Sequence, residues 1–139
     1  MRHQNLPTIM KFFKSLFAPA NSFALDSKSV QSFTENWPQI KAYYEMLLIP
    51  FHDAEKGNLA TIKLSSFLLV QKADDLTIEN LPAVYRNPKT IESLLYLKKQ
   101  TKLVDDLAKQ DAQDEELKKE ICKLKEIFYC IVETCLSKN

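Results

Sequence analysis

Residues 114–136 read DEELKKEICKLKEIFYCIVETCL, and their spacing decides the fold class. Leu117, Ile121, Leu124, Phe128, Ile131 and Cys135 recur at intervals of 4-3-4-3-4. That period places them in one apolar seam along an α-helix, with Lys and Glu on the other side. Asp114 stands where a helix cap is needed. Glu115 and Glu116 lie where the helix dipole favours acids.

Three further stripes of the same kind precede this one. Phe33, Trp37, Ile40, Tyr44, Leu47 and Phe51 form the first. Leu59, Ile62, Ser66, Leu69, Ala73 and Leu76 form the second. Leu94, Leu97, Thr101, Val104 and Ala108 form the third. No stripe can bury itself alone, so the sequence predicts an all-α antiparallel four-helix bundle. Pro38 and Pro50 predict a kinked first helix, starting late near Asn36 and bent or ended at Pro50. Asn87-Pro88 is a helix start, with Asn as cap and Pro in the first turn. About ten residues, Thr77 to Asn87, join helices two and three. This connection is long for a bundle and must cross an end or run outside.

Composition excludes the main alternatives. The chain has 139 residues, one glycine and three cysteines. Hairpin-rich sheets and phosphate-cradling loops need more glycine than that. The single Gly57 falls in the turn before helix two, beside Asn58, where a left-handed residue is tolerated. Net charge is +1, which argues against a nucleic-acid partner. No stretch reaches the ~20 apolar residues of a transmembrane span. Cys122, Cys130 and Cys135 share one helical pattern without C-x-x-C, so they read as small core residues rather than a disulfide framework.

Residues 1–24 carry Arg2, Lys11 and Lys14 and no acid, so the start of the chain is a separate compositional unit. A short apolar run, Leu16 to Ala20, follows, and then Ser22 and Ala24 offer small residues for cleavage. These features predict a leader or surface segment over 1–24, a bundle domain over 25–139, and export to the periplasm or cell envelope.

Site chemistry is sparse. His52 is the one histidine of the bundle domain, with Asp53 and Glu55 beside it. A turn histidine satisfied by a local carboxylate accounts for it as simply as a ligand does. Covalent haem would need C-x-x-C-H, and a di-metal carboxylate bundle would need E-x-x-H pairs; neither occurs. No catalytic constellation is visible, so the expected function is non-enzymatic binding.

Two stretches carry a resemblance. Phe51-His52-Asp53-Ala54-Glu55-Lys56-Gly57-Asn58 and the helix through Phe128, Tyr129, Cys130 and Cys135 resemble a group of small exported bacterial four-helix-bundle proteins. Those carry an F-H-x-A-E-x-G-N turn and a C-terminal helix with histidines at i and i+4. The resemblance implies a metal site, for copper or zinc, derived from the turn histidine and the two helix histidines. Here His52 matches the first, while Lys125 and Tyr129 stand at the other two. The implied ligand set is therefore largely lost, leaving His52, Glu55, Tyr129 and Cys130 as candidates. The alternative reading is a cytosolic interaction module or homo-oligomer with an exposed apolar patch around Tyr43, Tyr85 and the 77–87 connection.

Overall fold

A computed structural model describes residues 27–136. The leader expected over 1–24 lies outside the described residues. Those described are all-helical: α1 (Ser27–Glu35), α2 (Pro38–Glu55), α3 (Ala60–Asp74), α4 (Pro88–Lys109) and α5 (Asp114–Leu136). A short 3₁₀ turn, Ala83–Tyr85, lies between α3 and α4. None of the described helices is long and apolar enough to cross a membrane.

The first stripe is carried by two helices, not one. Pro38 has no N–H and disfavours helical backbone at the residue before it. Trp37 accordingly sits at φ −143°, outside both helices, with Pro38 in the first turn of α2. The Trp37 N–H donates to the Thr34 carbonyl at 3.1 Å, closing α1 as α2 begins. Ile40, Leu47 and Phe51 are buried as the stripe predicts, and one residue beside them is corrected. Tyr43, expected off the seam and exposed, is fully buried, and Tyr44 is half-buried instead. Pro50 does not end α2, which continues to Glu55.

Both tight turns use left-handed residues. Gly57 has φ +89°. Its N–H donates to the Ala54 carbonyl and that of Asn58 to the Asp53 carbonyl, so the last carbonyls of α2 are satisfied. Asp111 (φ +58°) repeats the pattern after α4, with Ala112 N–H donating to the Leu107 carbonyl. A chain with one glycine thus makes its second such turn with aspartate, a residue that tolerates this region. At the start of α4 the Asn87 side chain accepts from the Thr90 N–H at 3.0 Å, as expected. Asp114 is the first residue of α5 and accepts from Lys63 Nζ at 3.2 Å.

α3 packs on α2 and α4, α4 on α5, and α5 also meets α2. α1 lies against α2 and α5. Thr90 meets Cys135 while Gln100 meets Glu120, so residue numbers rise along α4 as they fall along α5. Ser66 meeting Asp105 and Lys98 meeting the Leu76 carbonyl give α3 and α4 the same relation. An aromatic group ties one end together. Phe33 contacts Trp37, Tyr85 and Phe128, and Tyr44 stacks on Phe128 at 4.7 Å.

The 77–87 connection is pinned to this group. Trp37 Nε1–H donates to Asn80 Oδ1 at 2.9 Å, and Asn80 N–H donates to Thr77 Oγ1. Tyr85, expected at an exposed patch, is buried against Phe33 at 5.2 Å.

Candidate functional site

His52 lies in the last turn of α2 with its side chain 61% exposed. Its Nδ1 stands 3.6 Å from Glu55 Oε1, one turn further on. The two candidates are therefore neighbours on one exposed edge. The Asp53 carboxylate faces the next helix instead and accepts from the Thr61 hydroxyl, joining α2 to α3.

Tyr129 and Cys130 are adjacent in sequence but about 100° apart around α5. Tyr129 is half-buried, and Lys125 Nζ lies 5.0 Å from its ring centroid and 4.1 Å from that of Phe51. Burial, with a hydrogen bond to Tyr129, pushes the Tyr44 hydroxyl up to about 12. Cys130 is fully buried, and burial pushes its thiol up to about 12 although a hydrogen bond with Thr134 works the other way. It is thus a neutral core thiol at physiological pH. Lys125, which stands at one of the positions the expected ligand set would need, places its ammonium over the ring of Phe51. Among the described residues, no three His, Cys, Asp or Glu side chains converge to hold a metal ion.

The feature that stands out lies elsewhere, on α3. Its inward residues are Ile62, Ser66, Leu69 and Ala73, all buried. At 100° per residue, Leu64, Phe67 and Leu68 fall on the opposite side. Leu64 is 77% exposed and Phe67 49%, and Leu68 is partly exposed. The rest of that outward face is Ala60 and Gln71, so its centre carries no charge. Ile49 of α2, 64% exposed, borders it. Ile49, Met46 and Pro50 line an open groove of about 490 Å³ with Thr61 and Ser65 of α3, and Glu45 and Lys72 stand at its edge. A helix that is apolar all round is normally enclosed on all sides. Among the described helices, α3 packs mainly on α2 and α4 and reaches the start of α5 through Lys63 and Asp114.

Periodicity directs attention to the core stripe of α3, and these outward residues were missed for that reason. The signal was present as Leu64, Phe67 and Leu68 at i, i+3, i+4 in antiphase to Ile62, Ser66 and Leu69. Comparison of the chain with models of protein families, with curated proteins and with solved structures found no match in any of the three.

Proposed function

We propose that this protein is a non-enzymatic helical binding protein that works through the outward face of α3. On this reading α2–α5 make an antiparallel four-helix bundle, with α1 folded across one side. One observation carries the proposal. Leu64 and Phe67 project an uncharged apolar surface from a helix whose core side is already filled. Contiguous exposed apolar area of this kind marks an interaction surface more often than an idle one. The basic, acid-free composition of residues 1–24 supports export as the setting, and a mature N-terminus near Leu25 in the native host would test that part.

The binding surface is tested by placing a photo-crosslinking residue at Phe67 of the full chain, with one at the exposed Lys119 of α5 as the control. Capture at position 67, absent at 119, is expected, and the captured protein should lose binding to purified Leu64→Glu. Equal capture at both sites, or none at either, would overturn the proposal.

A further inference from the structure

We propose that the occupant of the α3 face is a second copy of this chain, laid antiparallel across it about a twofold axis near Phe67 and Leu68. This rests on the reading of that face as the binding surface and names its partner.

The face is close to its own mirror in an antiparallel pair. Leu64 of one copy falls opposite Gln71 of the other, and Phe67 and Leu68 lie beside the axis. Each is met by an uncharged residue. Ile49 and Met46 widen the contact beyond two helices, towards the ~800 Å² per partner of a specific dimer. A net charge of +1 for the chain leaves little repulsion between copies.

The charges at the ends of the face choose the direction. The first turn of α3 has no acid, and Lys56 and Lys63 stand beside it. Asp74 and Asp75 are exposed at the other end, where their own helix dipole disfavours them, with Lys72 on the opposite flank. In an antiparallel pair, residues on one flank meet the same flank of the partner. Lys63 and Asp74 differ by about 20° around α3, so each meets the other's counterpart. Lys63 also holds Asp114 at 3.2 Å and Asp111 at 3.8 Å within its own chain, so its draw on Asp74 of the second copy is shared. Such rim charges set orientation more than affinity. A parallel pair would instead set Asp74 and Asp75 against their own copies. The twofold contact uses the same patch on both chains and closes at two.

The experiment is sedimentation of the full chain from micromolar to hundreds of micromolar concentration. A monomer–dimer equilibrium is expected, and Phe67→Glu should weaken it at least about tenfold. The circular dichroism of that variant should be unchanged, because Phe67 lies outside the core. Direction is read by mixing Leu64→Cys and Gln71→Cys chains, both carrying Cys122→Ser. The mixed disulfide should form faster than either like pair. Faster like pairs, or a monomer at every concentration, would overturn the proposal. A monomer whose position 67 still captures a different protein would leave the binding-surface reading standing. A monomer without such capture would end both.

Discussion

α5 and α3 solve the same packing problem in opposite ways. In α5 every Leu, Ile, Val and Phe before Leu136 is buried, and the outside is Lys and Glu. In α3 the core side carries Ser66 and Ala73, while Leu64 and Phe67 face outward. Neighbours explain the first half of the contrast. α5 meets α4, α2 and α1, so its buried face is wide enough to take Ile127 and Val132 beside the predicted seam. α3 packs mainly on α2 and α4 among the described helices, yet has more apolar surface than they cover. Large side chains therefore hold the monomer together from α5, whereas those on the outside of α3 contribute little to it. Substitutions on the two helices should separate these roles.

The largest effect belongs to α5. Phe128 is fully buried between Phe33 and the stacked Tyr44 ring. Phe128→Ala removes that ring from a site that α1, α2 and α5 all line. It should cost ~3–5 kcal/mol of unfolding free energy in urea titration. A loss under ~1 kcal/mol would show that the aromatic end collapses onto the gap and that α5 is not the main support.

On the core side of α3, polar contact replaces bulk. Asp105 of α4 is buried and accepts from the Ser66 hydroxyl at 2.7 Å and from Lys109 Nζ at 2.9 Å. Asp105→Ala strands the Ser66 hydroxyl and should cost ~1–3 kcal/mol. Burial works against the charged carboxylate, but the bonds from Ser66 and Lys109 and the charges of Lys109 and Lys102 outweigh it. The group is held below its ordinary value of 3.8. A depressed folded-state value means that the unfolded chain binds the proton more readily. This contribution is therefore complete above the unfolded value and is lost as pH falls through the folded one. Asp105→Asn should flatten the acid limb of a stability–pH profile between the ordinary carboxylate value and the lower folded one, and an unchanged limb would assign it to other carboxylates.

Much of this was legible in the sequence. The seams of α4 and α5, the Asn87 cap and the left-handed place of Gly57 follow from local spacing and local chemistry. Tyr43 did not, because three and four residues beyond Ile40 both suit a helix seam, and spacing alone does not choose between Tyr43 and Tyr44. Asp111 in a left-handed turn was hidden because aspartate serves many conformations, while glycine advertises this one. At the candidate site, the pairing of His52 with Glu55 follows from an i, i+3 spacing. The separation of Tyr129 from Cys130 follows from the 100° step of a helix, but which of the two is enclosed depends on where the other helices lie against α5. The outward face of α3 is the clearest case. Its residues are plain in the sequence, but that they stay uncovered depends on no described helix packing across them.

The turn between α2 and α3 should show a smaller effect. A Cβ on Gly57 would meet nothing within 4 Å, so Gly57→Ala is opposed by its φ of +89° and not by crowding. A cost of ~1 kcal/mol is expected in the same titration. The smallest effect on the monomer belongs to Leu64, 77% exposed on α3. Leu64→Lys removes no core contact and keeps a good helix former, so unfolding free energy at low concentration should stay within ~0.5 kcal/mol of the parent. The same change should abolish the concentration dependence of stability that a self-pairing chain shows by mass action. A large loss at low concentration would mean that Leu64 supports the fold after all, and the contrast between α3 and α5 would then be one of degree.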